Sequence, residues 1–225
     1  MLLLATDTSG KHGSIALAEC GPEDECRILE VVPLTGGMFS AQLVPQIAVL
    51  LEKHKFTKHD IAALAVASGP GSFTGLRVGL AAIKALAEVL EKPIAAVSLL
   101  EAIADSSHSR GKILATLDAG RNEVYVGDFE MGNSETRLTS EKLMNREQCF
   151  DSAGNATIVT PDQSLAKAAR SVGLRVEEVE YPRSDTIAHL GWRKIRAGQT
   201  VSPEELEANY IRRSDAEIFA RSGPG

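Results

Sequence analysis

The pattern of apolar and polar positions predicts two kinds of structure in the first half of the chain. Residues 2–6 are apolar, residues 14–19 alternate, and residues 26–32 follow a second polar turn, which predicts three antiparallel strands. Helical spacing then begins at Ser40, and residues 61–67 form a continuous apolar run typical of a strand buried on both faces. The chain therefore starts as an antiparallel sheet and continues with alternating helices and strands.

The second half repeats the opening pattern. Residues 4–11 read LATDTSGK and residues 114–121 read LATLDAGR. In each copy an apolar run ends at an acid, Asp7 or Asp118, before a turn of small residues and another strand. The two copies start at residues 4 and 114, and a period of that length is too long for a solenoid repeat. We therefore expect an α/β protein of two related βββαβα-type halves with mixed sheets.

The polar stretch at residues 106–111 is the best candidate for the boundary between these halves. It predicts an N-terminal half over residues 1–108 and a C-terminal half over residues 109–225. The last helix would be able to pack back on the N-terminal half.

Composition narrows the class of protein. Of the 225 residues 44% are hydrophobic, enough for a sizeable core, and the net charge of −6 disfavours a main nucleic-acid-binding surface. The three cysteines are odd in number and form no CxxC pair, which favours a reducing cytoplasm over a secreted disulfide framework. No apolar stretch is long enough to span a membrane.

The segment at residues 68–77, SGPGSFTGLR, follows a predicted strand and opens a predicted helix. Such a turn points backbone N–H groups at an anion, although Leu76 and Arg77 replace the Gly-Lys-Ser/Thr ending of a P-loop. The same segment admits a second interpretation, in which small residues every four positions let another backbone approach the helix closely. Those residues are Gly71, Gly75, Gly79 and, extending the row, Ala82.

The acids at the two turns fit the same pair of alternatives. They lie where an actin-like ATPase would hold metal and phosphate, but an Asp in a turn is also an ordinary turn residue. The candidate relict phosphate loop comprises Asp7, Thr8, Ser9, Gly69, Gly71, Ser72 and Asp118. No HExxH, GxSxG or Cys–His signature accompanies it, which disfavours a peptidase.

Four stretches together resemble the bacterial TsaB (YeaZ) family: residues 2–9, 68–79, 117–125 and 209–216. That family is the dimerisation subunit of the machinery that places a threonylcarbamoyl group on adenosine 37 of tRNA, the t6A modification. The resemblance implies an actin-like fold of the ASKHA (sugar kinase/Hsp70) superfamily, in agreement with the repeat.

The resemblance also implies partners. A TsaD-like catalytic subunit and a TsaE-like ATPase would join this chain, which would form a homodimer when the partner is absent. ATP and metal are expected on the partner subunits, with no cofactor on this chain alone and only an indirect or minor tRNA contact. The first two helices would form the partner surface, through Leu43, Ile47, Leu50, Leu51, Gly75, Gly79, Ala82 and Leu86.

A missing metal motif favours a non-catalytic subunit. The catalytic paralogue holds its metal with His-Met-Glu-x-His, and Leu99 and Ile103 stand at the two histidine positions here. Neither side chain has a donor atom, so this chain is predicted to bind no metal there. The alternative is an independent small-molecule kinase of the same superfamily, which would need an ATP site built from both halves.

Overall fold

The computed structural model describes residues 1–22, 25–35, 38–132 and 136–211. The described chain forms two compact units. The first contains Met1–Ser98 and Pro182–Asn209, and the second contains Leu99–Tyr181 together with Tyr210 and Ile211.

The described residues form ten strands and six α-helices. The strands are β1 (Leu2–Asp7), β2 (Gly13–Cys20), β3 (Cys26–Leu34), β4 (Ile61–Gly69), β5 (Ile94–Ser98), β6 (Gly111–Gly120), β7 (Glu123–Met131), β8 (Thr136–Asn145), β9 (Thr157–Thr160) and β10 (Arg175–Glu178). The helices are α1 (Phe39–Lys53), α2 (Phe73–Leu90), α3 (Leu99–Asp105), α4 (Arg146–Ala153), α5 (Gln163–Ser171) and α6 (Ser184–Arg196).

The two sheets share one topology. The first has the order β3-β2-β1-β4-β5, in which β1, β2 and β3 are antiparallel and β4 and β5 continue parallel to β1. The second has the order β10-β9-β6-β7-β8, with β6, β7 and β8 antiparallel and β9 and β10 parallel to β6. This confirms the predicted α/β fold of two related halves with mixed sheets.

Helices cover both faces of the first sheet. Alternate residues of its strands, including Leu4, Ile15 and Leu64, are fully buried in a core that includes α1 and α2. Helix α6 packs on β1, β2, β4 and β5. The Trp192 indole N–H of α6 donates to the Gly21 carbonyl oxygen at 3.1 Å, which ties this helix to the end of β2.

The second unit has its own core. Helices α4 and α5 pack on its strands, and α3 packs on β6, β7, β8 and β9. Residues such as Val124, Cys149, Ile158 and Leu165 are fully buried there. Burial on both sides of β6 and β9 explains why their sequences are apolar and continuous.

The unit boundary differs from the position predicted near residue 108. The compact units divide at Ser98, because α3 packs on strands of the second sheet. Helix α6 belongs to the first unit, although it follows the second sheet in the chain.

The three cysteines form one bonded pair and one free thiol. Cys20 and Cys26 form a disulfide between β2 and β3, a pairing that the sequence analysis did not predict, and Cys149 is a buried free thiol. Across the described ranges, no helix is both long and apolar enough to cross a membrane.

Candidate functional site

The end of β1 and the start of the turn after it contain the first acid of the repeat and are buried. Asp7, Thr8 and Ser9 expose 1%, 2% and 1% of their surface. The Asp7 Oδ1 accepts hydrogen bonds from the Ser9 N–H at 2.8 Å and from the Ser9 hydroxyl at 2.5 Å. Burial raises the pKa of Asp7 to about 6, against the opposing effect of these two hydrogen bonds. This segment therefore contains a buried acid whose pKa lies above the ordinary range of an aspartate.

The glycines after β4 bring α2 into direct contact with this turn. A Cβ atom at Gly75 would lie 2.0 Å from the Thr8 carbonyl oxygen, and one at Gly79 would lie 2.4 Å from the Thr8 hydroxyl. At Gly71 the corresponding distance to the Ser9 carbonyl oxygen is 2.5 Å. Real Cβ atoms essentially never approach so closely. Close packing within the unit therefore accounts for all three glycines.

The polar groups at the start of α2 are also used in this contact. The Ser72 N–H donates to the Ser9 carbonyl oxygen at 2.6 Å, and the Gly75 N–H donates to the Ser72 hydroxyl at 3.3 Å. The Thr8 hydroxyl donates to the Gly75 carbonyl oxygen at 2.7 Å. A helix N-terminus binds an anion through N–H groups that lack other acceptors. These contacts favour the packing interpretation, and the relict phosphate role stays a prediction.

The loop that joins β4 to α2 is held from the C-terminal side of the chain. The Asn209 N–H donates to the Ser68 carbonyl oxygen at 2.7 Å, and the Ser68 hydroxyl donates to the Val97 carbonyl oxygen at 3.1 Å. Gly69 has φ +114°, and a Cβ there would lie 3.2 Å from the Asn209 carbonyl oxygen. Asn209 is thus a positioning residue for the loop. Residues 209–216 were a candidate motif only by their family resemblance, and residues 212–216 lie outside the described residues.

Asp118, the counterpart of Asp7 in the repeat, lies in a different environment. It is exposed, and its backbone N–H donates to the Asp162 carboxylate at 2.7 Å. Its own carboxylate lies 3.5 Å from the Arg146 guanidinium. Burial raises the pKa of Asp162, with the nearby Asp118 carboxylate acting in the same direction.

Leu99 and Ile103 both lie in α3 and are fully buried. They are part of the apolar packing of the second unit, one helical turn apart. Within the described residues, no group of three or more His, Cys, Asp or Glu side chains is arranged to hold a metal ion.

The residues predicted to form the partner surface lie mostly inside the first unit. Leu43, Ile47, Leu50 and Leu51 expose no more than 5% of their surface and belong to its core. Gly75 and Gly79 face Thr8, while Ala82 and Leu86 are half-buried. The apolar stripe with helical spacing is thus the stripe that faces the sheet.

The solvent-facing sides of the same helices are nevertheless apolar. Val44 of α1 is 56% exposed and Phe73 of α2 is 36% exposed. Together with Arg77, Val78 and Ala81 they line a groove of about 480 Å³ between the two helices, here called the α1–α2 groove. The Arg77 guanidinium lies 3.6 Å above the centre of the Phe73 ring. An exposed apolar surface of this kind is typical of an interaction site.

Sequence comparisons connect this chain with t6A proteins. The model of the family described as "TsaD: tRNA N6-adenosine threonylcarbamoyltransferase" matches residues 33–218. The protein of Escherichia coli named "tRNA threonylcarbamoyladenosine biosynthesis protein TsaB" is 28% identical over 96% of both chains. The Bacillus subtilis protein of the same name is 36% identical over 59% of this chain and 57% of that protein.

Solved structures agree with the fold. The structure described as "YeaZ from Pseudomonas aeruginosa" superposes with a TM-score of 0.75 at 24% identity, covering 93% of this chain and 99% of that one. A second structure, of an uncharacterised protein similar to peptidase YeaZ from Pseudomonas aeruginosa, gives a TM-score of 0.77 at 25% identity. It covers 94% of this chain and 99% of that one. These similarities confirm the predicted actin-like ASKHA fold.

Proposed function

The chain belongs to the TsaD family and, within it, to the TsaB (YeaZ) proteins, and from this we propose that it is the non-catalytic subunit for t6A formation on tRNA. In this role it binds and supports a TsaD-like catalytic subunit and helps to recruit a TsaE-like ATPase. The single observation that carries the partner role is the α1–α2 groove, an apolar surface on the outside of two helices whose inner faces already fill the core.

Two features support the non-catalytic part of the proposal. Leu99 and Ile103 are buried apolar side chains at the positions where the resemblance places the metal ligands of the catalytic paralogue. The turn at Asp7–Ser9 is packed against the glycines of α2, which leaves its carboxylate bonded to Ser9. In this proposal metal and ATP bind to the partner subunits.

The chemistry of the groove indicates what it would bind. Its apolar positions, Val44, Val78 and Ala81, suit the apolar face of a partner helix. Arg77 and Phe73 add a cation and an aromatic ring, residue types that are enriched at energetically dominant interface positions. The same groove would serve a second copy of this chain when the catalytic subunit is absent, because a two-fold contact uses one surface on both copies.

The proposal also includes the cell compartment and the contact with tRNA. The chain would act in the cytoplasm, where it would meet tRNA mainly through its partners, since its net charge of −6 opposes a large phosphate-binding surface.

The proposal is tested by measuring association of the purified chain with the catalytic TsaD-like subunit of the same organism, using calorimetry and size-exclusion chromatography with light scattering. We expect a complex at micromolar concentration. Val44→Asp should weaken it by about thirtyfold or more, because it buries a charge in the groove.

Val172→Asp is the matched control. Val172 is also exposed, at 61%, but it lies at the end of α5 in the second unit. It should leave association unchanged. The absence of any complex would contradict the partner role, whereas equal weakening by both substitutions would contradict only its assignment to the groove.

A further inference from the structure

The disulfide lies between directly paired positions of two neighbouring strands. Cys20 of β2 and Cys26 of β3 are partners in the antiparallel register, and the next backbone pair, Gly21 N–H to the Glu25 carbonyl oxygen, closes at 2.7 Å. On its other side, Cys20 exchanges backbone hydrogen bonds with Met1, at 2.9 Å and 2.7 Å. The sheet therefore holds the two cysteines together whether or not their sulfur atoms are bonded.

Position in the sheet also distinguishes the two sulfur atoms. Cys26 lies on β3, the edge strand, and is 9% exposed, whereas Cys20 lies on the inner strand β2 and is 3% exposed. An incoming reagent would therefore reach Cys26 first. The third cysteine, Cys149, is fully buried, and burial raises the pKa of its thiol to about 11. Since the thiolate is the reactive form, burial and this raised pKa make Cys149 a poor nucleophile.

We propose that Cys20 and Cys26 are a reversible thiol–disulfide exchange site whose substrates are low-molecular-weight disulfides, such as oxidised glutathione. This role is independent of the partner-binding function. In a compartment rich in thiols, a disulfide of this kind is formed transiently and senses the redox state.

The exchange proceeds in two balanced steps. The Cys26 thiolate attacks one sulfur of the small disulfide, so that a Cys26–small-thiol bond forms and one small thiolate leaves. The Cys20 thiolate then attacks the Cys26 sulfur, which forms the Cys20–Cys26 bond and releases the second small thiolate. Two electrons pass from the cysteine pair to the small disulfide, and the cysteines lose their two protons. Two small thiols reverse the sequence.

The chain carries its own reporter of this reaction. Trp192 is the only tryptophan, and its indole N–H donates to the carbonyl oxygen of Gly21, the residue that follows Cys20. A disulfide quenches indole emission more strongly than two thiols do. Oxidation of the pair should therefore lower the fluorescence of Trp192.

The test uses the folded full-length chain in a series of reduced and oxidised glutathione mixtures. Free thiols are trapped with N-ethylmaleimide before unfolding, and the products are assigned by peptide mass mapping. We expect a Cys20–Cys26 bond whose population follows the glutathione ratio, a fall in Trp192 emission with the same midpoint, and a Cys149 thiol that stays reduced.

Two variants separate the roles of the cysteines. Cys149→Ala should behave as the wild-type chain does. Cys20→Ser should accumulate a stable mixed disulfide between Cys26 and glutathione, because the resolving thiol is missing. The proposal is overturned if oxidised glutathione leaves both thiols free in the native chain, if the bond forms only in urea, or if Cys149 reacts as readily as the pair.

Discussion

The two acid-bearing turns of this molecule occupy the same place in the same topology, but only one of them is buried against a helix. Asp7 is the last residue of the first strand of the first sheet and is 1% exposed, with its carboxylate hydrogen-bonded to Ser9. Asp118 is its counterpart in the second sheet, where it is exposed beside Arg146 and Asp162. The repeated topology therefore keeps the position of the acid but not its environment.

The difference arises from the helix after the fourth strand of each unit. In the first unit Gly71, just before α2, and Gly75 and Gly79 of α2 lie near the turn, and each glycine allows a contact that a Cβ atom would block. In the second unit the equivalent helix, α5, is shorter and contains no glycine. The glycines therefore make the first turn an internal packing contact.

The largest expected effect comes from a substitution that sterically blocks this packing contact. Gly75→Ala places a Cβ atom 2.0 Å from the Thr8 carbonyl oxygen, and neither backbone can move freely. We expect the free energy of unfolding to fall by more than about 3 kcal/mol, measured by urea denaturation.

The control lies at the open turn. A Cβ atom at Gly120 meets nothing within 4 Å, although φ there is +72°, so Gly120→Asn should cost less than about 1 kcal/mol. Similar losses of unfolding free energy for the two variants would contradict the distinction between a buried turn and an exposed one.

The next effect concerns pH. The pKa of Asp7 is raised from 3.8 to about 6 by burial, so the folded chain holds this proton more tightly than the unfolded chain does. Its contribution to stability is present in full below about pH 4 and is lost as the pH rises through about 6. The free energy of unfolding should therefore fall by up to about 3 kcal/mol across this range from this group.

Asp7→Asn should remove that component, because the amide keeps an acceptor oxygen but does not ionise. Unfolding measured in urea at several pH values tests this, with Asp118→Asn as the control at the exposed turn. An unaltered pH profile for Asp7→Asn would show that another group is responsible.

A smaller effect is expected from the hydroxyl of Thr8. Thr8→Val keeps the shape of the side chain but removes its hydrogen bond to the Gly75 carbonyl oxygen. We expect a loss of about 1 kcal/mol in the free energy of unfolding. Hydrogen exchange should show weaker protection of the α2 amides in Thr8→Val than in the wild-type chain. Thr8→Ser, which keeps the hydroxyl, should restore most of that protection. Equal protection in the two variants would argue against the hydrogen bond.

The smallest effect belongs to the second unit. Arg146→Ala removes the ion pair with Asp118. The two side chains lie 3.5 Å apart, and Arg146 is 29% exposed and Asp118 39%. Solvent screening limits such a pair to less than about 1 kcal/mol, so thermal unfolding should be nearly unchanged. A large loss would mean that the second turn is also a structural contact.

The sequence predicted the architecture better than the surfaces. Apolar runs and the repeated acid-bearing turn predicted both halves, because alternation and burial follow directly from strand geometry. The mixed pattern of residues 136–153 gave no clear period, so the positions of β8 and α4 were not predicted, although the repeat implied such a strand and helix.

The candidate site was harder to predict for two physical reasons. Helical spacing identifies an apolar stripe, but Leu43 and Val44 are neighbours, and only the packing shows that Leu43 faces the core while Val44 faces solvent. The glycines of α2 likewise fitted either an anion or a backbone until the distance to Thr8 was known. The Cys20–Cys26 bond depends on the register of two strands, which spacing alone does not determine.

The most direct test of the account measures t6A formation on tRNA with the TsaD-like catalytic subunit, the TsaE-like ATPase and threonylcarbamoyl-adenylate. Modification should fall by at least about tenfold when this chain is omitted or replaced by Val44→Asp, and should stay at the wild-type rate with Val172→Asp. An equal rate without the chain, or modification by the chain alone, would contradict its role as a non-catalytic partner.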